Sequence, residues 1–165
     1  MARNVPHLSY YDYRWKNLFS SEKKHLLSLI PLKIKALINH IGSTAVDGLV
    51  ARPIIDIVVG IENPLDIFTV KDILLFNKYI FFAQYSNLEN LVFYKKGNDG
   101  NEYVIHLTKY NGTTYQKMMS TVKILSNNSN LAKRYGEYKT KLINAKSDLK
   151  TYNQEKEIFI RQNLI

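Results

Sequence analysis

Between residues 15 and 30 the apolar side chains Trp15, Leu18, Phe19, Leu26, Leu29 and Ile30 recur at helical spacing, which predicts an amphipathic helix ended by Pro31. "KIKALINHI" (33–41) alternates as a short strand does, and Gly42-Ser43-Thr44 then breaks it with the signature of a helix N-cap. A short helix is expected over "AVDGLVA" (45–51), stopped by Pro53, which also disfavours helical geometry at Arg52. "IIDIVVGI" (54–61) is rich in β-branched residues and reads as an internal strand. After Asn63-Pro64 the stretch "LDIFTVKDILLFNKYIFF" (65–82) reads as a helix, and 83–90 as a loop. "NLVFYKK" (90–96) and "EYVIHLTKY" (102–110) then form a hairpin, because Asn98-Asp99-Gly100 between them tolerates positive φ. Everything beyond Asn111 reads as helical. Leu131, Tyr135, Tyr138 and Leu142 make one stripe, Tyr152, Ile158 and Phe159 another, with a hinge near Ser147-Asp148.

These elements predict a small mixed sheet with flanking helices, an α/β (α+β) fold, in one domain spanning 1–165. Its sheet-bearing core runs to about residue 110, and a helical C-terminal part covers about 111–165. There is no internal repeat and no low-complexity segment. No apolar stretch approaches the ~20 residues of a membrane span, and the first residues lack the pattern of a signal peptide. A cytoplasmic protein with no membrane partner is therefore expected. The absence of cysteine excludes disulfides and thiolate zinc sites. Of the net charge of +9, +6 falls in residues 111–165, where ten Lys and Arg face four Asp and Glu. Such a surface attracts nucleotide phosphates or RNA, or is simply a solvated helical face. Without a run of like charges or interleaved arginines and aromatics, nucleic acid is the less favoured partner.

The chemistry concentrates in residues 39–60. A Gly-Ser turn between strand and helix offers backbone amides and a hydroxyl to an anion, so Gly42, Ser43 and Thr44 are either a phosphate cradle or a helix cap. Asp56 stands in an apolar strand, where an unpaired carboxylate costs several kcal/mol; it needs a metal ion, a basic partner or donor groups. Arg52, before that strand, is either a phosphate clamp or a surface arginine. His106 is a metal ligand, a proton shuttle or a hydrogen-bonded core histidine, and His40 reads as structural. Lys139 shares a helical face with Tyr135 and Leu142, and Lys156 shares one with Tyr152 and Phe159; each either snorkels or reaches an anion. Glu22, an acid in the first apolar stripe, is expected to pair with one of these lysines.

"YDYRWKNLFSSE" (11–22), "HIGSTAVDGLVARPIIDI" (40–57), His106 in "YVIHL", and "RYGEYKTKL" with "YNQEKEIFI" together resemble the GrpB family, a branch of the nucleotidyltransferase superfamily. The family pattern has Pro where this chain has Asp47 and Lys where it has Arg52. The resemblance implies the minimal nucleotidyltransferase fold, with Gly42, Ser43 and Thr44 on nucleotide phosphates and Asp56 on Mg²⁺. It also implies a nucleoside triphosphate, or another phosphorylated small molecule, as ligand. In that superfamily the metal strand carries Asp-x-Asp or Asp-x-Glu, because positions two apart share a face and both grip the metal ions. Here the second position is Val58, so Asp47 or Glu102 is the candidate replacement. The expected readings are transfer of a nucleoside monophosphate to an acceptor, or nucleotide or anion binding without catalysis; an RNA- or protein-binding module using the basic helices is the third. Arg52, Lys139 and Lys156 would neutralise phosphate charge, and His106 would sit beside Asp56 at the metal.

Overall fold

The protein is described over residues 6–164 by a computed structural model. Its helices are α1 (Arg14–Leu29), α2 (Asp66–Phe76), α3 (Thr113–Asn127), α4 (Ser129–Asn144) and α5 (Leu149–Leu164). Its strands are β1 (Ala36–Ile41), β2 (Ile54–Ile61), β3 (Ile80–Phe81), β4 (Asn90–Lys96) and β5 (Glu102–Lys109). They form one sheet of order β1-β2-β5-β4-β3, in which only β2 and β5 run parallel. Parallel pairing needs a crossover, and the chain between β2 and β5, α2 included, supplies it. No helix among the described residues is long and apolar enough to cross a membrane.

The expected helix over 45–51 is instead a single 3-10 turn, Ser43–Ala45. Val46 is already extended, Gly48 has φ +76°, and Ala51 exchanges backbone hydrogen bonds with Ser9, so this segment turns back along the N-terminal arm. The helix expected over 65–82 ends six residues early, at Phe76. Lys78 adopts φ +66°, and the amides of Lys78 and Tyr79 bond to the carbonyls of Leu75 and Leu74, which closes the helix in a Schellman motif. Ile80 and Phe81 are thereby released to pair with Tyr94 and Phe93. The expected hairpin forms, with Gly100 at φ +82°. The C-terminal part is helical as expected, in three helices with a break at the expected hinge, where Asp148 caps the last by accepting from the Thr151 amide at 2.8 Å.

Alternation along β2 divides the molecule. Ile55, Ile57, Val59 and Ile61 are fully buried in the main core, with Trp15 and Leu26 of α1, Val70 and Leu74 of α2, and Phe93, Ile105 and Leu107 of the neighbouring strands. Glu22 lies in that layer, not with the C-terminal lysines: its carboxylate takes two 2.9 Å bonds from Lys95 and one from the Tyr79 hydroxyl. It pairs within that layer because α1 packs on the face opposite α4 and α5. The other face presents Asp56, Val58 and Gly60 to the C-terminal helices. Tyr115 of α3 fits against Gly60 so closely that an added Cβ would stand 2.6 Å from its ring. A second core, Val46, Leu49, Leu125, Leu131, Tyr135 and Phe159, fastens the 46–49 segment to α3, α4 and α5.

Candidate functional site

Ile41 is the residue of β1 that pairs with Asp56, so the chain leaves β1 directly over that carboxylate. Gly42 makes the turn at φ +72°, and a Cβ there would lie 2.6 Å from Asp56 Oδ2. Glycine is required twice at this position, by conformation and by contact. Ser43 follows, half-buried, its Oγ 2.9 Å from Lys139 Nζ. Lys139 is 1% exposed and also donates to the Val50 carbonyl at 2.5 Å, with its ammonium over the Tyr135 ring. Burial, with a smaller contribution from the charge of Lys156, pushes Lys139 down to about 7. The amides of Ser43 and Thr44 donate to no acceptor among the described residues. Thr44 is 1% exposed, and its hydroxyl bonds to the Ile54 carbonyl and to His40 Nε2. It holds the turn against β2 and has no hydroxyl left for a ligand. His40 faces the opposite layer, stacked on Phe19, and burial lowers it to about 4. It is the structural histidine that strand alternation implied.

Asp56 is half-buried, and its Oδ1 lies 3.9 Å from His106 Nε2 on the parallel neighbour β5. That distance is beyond a hydrogen bond. Asn90 Nδ2 stands 3.1 Å from the other ring nitrogen, Nδ1. With Asn90 donating, the neutral ring carries its proton on Nε2, the nitrogen facing Asp56, and in this form His106 is a donor rather than a metal ligand. Val58 is fully buried between Ile41 and Tyr115, with Met118 and Met119 behind, which leaves no space for a carboxylate and its ion. Neither candidate replacement takes its place. Asp47 is exposed and bound to Lys16 at 2.8 Å and to the Tyr11 hydroxyl at 2.9 Å. Glu102 shares the sheet face of Asp56 but sits at the start of β5, opposite Ile54, and accepts from the Tyr94 hydroxyl at 2.5 Å. Among the described residues no three His, Asp or Glu side chains are grouped as a metal site.

The cations gather from two directions. Lys156 of α5 lies over the Tyr152 ring and feels the charges of both Asp56 and Arg52; burial is the larger effect and pushes its ammonium down. Arg52 also acts on Tyr152. Neither Arg52 nor Lys156 forms an ion pair with a described carboxylate, so neither is directly bonded to Asp56 as its basic partner. The site thus brings together Gly42, Ser43, Arg52, Asp56, His106, Lys139 and Lys156, with Thr44 behind them. Sequence reasoning had placed Tyr135 and Tyr152 only as stripe residues, although their helical phase with Lys139 and Lys156 held the clue to their role as aromatic floors. Asn90, the partner of His106, had no sequence signal. A cavity of about 940 Å³ lies nearby, between the 45–50 segment and the adjacent stripe of α4 (Ala132, Gly136, Thr140), but contains none of the polar site residues.

A five-stranded mixed sheet with helices on both faces, carrying a glycine turn over a strand aspartate, defines an α/β protein. The GrpB protein family matches residues 6–164, and the chain belongs to that family. It is 29% identical over 164 residues to the glutamate-rich protein GrpB of Alkalihalophilus pseudofirmus, a match covering 91% of this chain and 88% of that protein. It is 24% identical over 152 residues to the UPF0157 protein YqkA of Bacillus subtilis, covering 92% of this chain but 44% of that protein. The crystal structure of the conserved protein GrpB from Enterococcus faecalis superposes with a TM-score of 0.80, covering 96% of this chain and 97% of that one at 22% identity, so the fold is shared.

Proposed function

We propose that this chain binds a phosphorylated small molecule, a nucleoside triphosphate in the first instance, at the Gly42–Ser43 turn. The observation that carries the reading is the pair of cations, Arg52 and Lys156, gathered near Asp56 without a carboxylate partner of their own. Unpaired charges held in partial burial are unfavourable unless an anion completes them. The open amides of Ser43 and Thr44 would add donors, and Lys139 would act from behind by fixing Ser43. Asp56 would hold Mg²⁺ only together with the ligand: one carboxylate, phosphate oxygens and waters make an acceptable octahedral set, whereas one carboxylate alone does not.

The arrangement favours binding over two-metal transfer of a nucleoside monophosphate. Such transfer needs a second carboxylate to share the ions, and the space at position 58 is filled by packed apolar side chains. Calorimetric titration with ATP, with and without Mg²⁺, tests the reading. Binding is expected in Mg²⁺, weakened about tenfold or more by Arg52→Ala and by Lys156→Met, as loss of one charge-assisted contact implies. Asp56→Asn should abolish the difference made by the metal. Equal affinity with and without Mg²⁺ removes the metal from the reading, and folded protein that binds no nucleotide removes the reading itself.

A further inference from the structure

We propose that Ser43 and Lys139 form a nucleophile and general-base pair that takes an acyl group from an ester carrying a negative charge. Lys139 is a poor choice for a simple surface cation: it is 1% exposed, its Nζ is 2.9 Å from Ser43 Oγ, and the Val50 carbonyl at 2.5 Å fixes its remaining direction. A neutral amine has two N–H donors and one lone pair. As an ammonium Lys139 donates to both Val50 and Ser43 Oγ; in the neutral amine one donor stays on Val50, and turning the lone pair to Ser43 over the same 2.9 Å contact gives the arrangement needed to remove its proton. Burial favours the neutral form, and Lys156 on α5 adds a like charge; the Tyr135 ring beneath Nζ acts the other way, and Tyr135, itself held as the neutral phenol by burial, also reaches the Ser43 hydroxyl. Asp56 is close enough to act on Tyr135 and Lys156, and Tyr152 underlies Lys156. Lysine pushed down to about 7 is half unprotonated at neutral pH and so available as a base.

The step balances without a further reactant. Ser43 Oγ attacks the ester carbonyl as its proton passes to Lys139 Nζ, forming the O–C bond and a tetrahedral oxyanion beside the unpaired Thr44 amide. Collapse breaks the ester C–O bond, and the leaving alkoxide takes the proton from Lys139. Water, deprotonated by the same amine, then releases the acid and restores Ser43. Arg52 and Lys156 set the preference for an acyl or alcohol portion that bears an anion, since the two cations stand near each other at the site without an ion pair to a described carboxylate.

The test uses the full chain with two chromogenic esters, 4-nitrophenyl acetate and the anionic 4-nitrophenyl hemisuccinate, and a fluorophosphonate probe. A nitrophenolate burst and a single acyl or phosphonyl adduct mapped to Ser43 are expected, with the hemisuccinate preferred and the preference lost in Arg52→Ala. Labelling should fall at least about 100-fold in Lys139→Met and in Lys139→Arg, which keeps a donor but cannot act as a base. Circular dichroism establishes that each variant is folded. Should neither fold, the labelling rate of the unaltered protein from about pH 6 to about pH 9 still decides, rising with a midpoint near 7 for the pair. No adduct at Ser43 across that range, or undiminished labelling in a folded Lys139→Met, overturns the proposal and leaves Lys139 as a structural tie. Nucleotide titration reads a different property, so the two proposals fail separately.

Discussion

Gly42 rests against the carboxylate of Asp56, with room for a hydrogen but not for a methyl group: a Cβ would be 2.6 Å from Oδ2 and 3.1 Å from Asp56 Cβ. Gly42→Ala must therefore displace the aspartate and also strain a backbone at φ +72°. The expected cost is about 2 kcal/mol, a fall of about 4–8 °C in melting temperature for a domain of this size. Gly48 has φ +76° with nothing near its Cβ position, so Gly48→Ala should lose only the strain and serves as the control in the same thermal melt.

Val58 gives the opposite test, an added carboxylate where the fold has none. Because Ile41 and Tyr115 enclose it, Val58→Asp should be destabilising by about 3 kcal/mol or more rather than restoring a metal pair. Chemical denaturation with and without Mg²⁺ checks this. A variant of unchanged stability that gains several kcal/mol from the ion would show that the space can open.

Glu22, Lys95 and Tyr79 form a buried polar cluster whose members cannot be removed singly without penalty. Lys95→Met leaves the Glu22 carboxylate beside a phenol and no cation, and the expected loss is about 3 kcal/mol in urea denaturation. Glu22→Gln with Lys95→Met together should recover part of that loss, since the lone charge is gone.

His40 makes stability depend on pH with a definite sign. Its folded form is held neutral, lowered from 6.5 to about 4, while the unfolded chain binds a proton near 6.5. The unfolded state thus takes up more protons between those values, so stability is fully present above about 6.5 and falls as pH drops toward 4. The contribution is about 2–3 kcal/mol. Urea midpoints measured from pH 7 downward should decline more steeply in the natural protein than in His40→Gln.

Much of this architecture is legible along the chain because alternation and β-branching are local properties. Residues 54–61 and the hairpin at 90–110 appear where their patterns put them, and the family signature over 40–57 marks the turn and Asp56 together. The errors have physical sources. "YIFF" continues an apolar run, and only the left-handed backbone at Lys78, a residue with no special preference for it, ends the helix. "AVDGLVA" reads as helical because a cap signature precedes it, but Gly48 and the pairing of Ala51 with Ser9 bend it. Glu22 was assigned to the wrong lysines because a stripe reveals which side of a helix is buried, not which sheet face it covers. For the candidate site, helical phase singled out Lys139 and Lys156. It could not show that Lys139 ends on Ser43 and Val50, which depends on how α4 docks over a turn laid down much earlier in the chain.

That contact joins residues 96 positions apart, and Lys156 is contributed from still farther along. The sheet, the glycine turn and Arg52 belong to the first two thirds of the chain, while Lys139 and Lys156 arrive with the last two helices. During synthesis the candidate site is consequently completed only after the sheet. Ligand binding would report that the C-terminal helices have docked, and a ligand present at that moment would draw the late helices onto a core already formed.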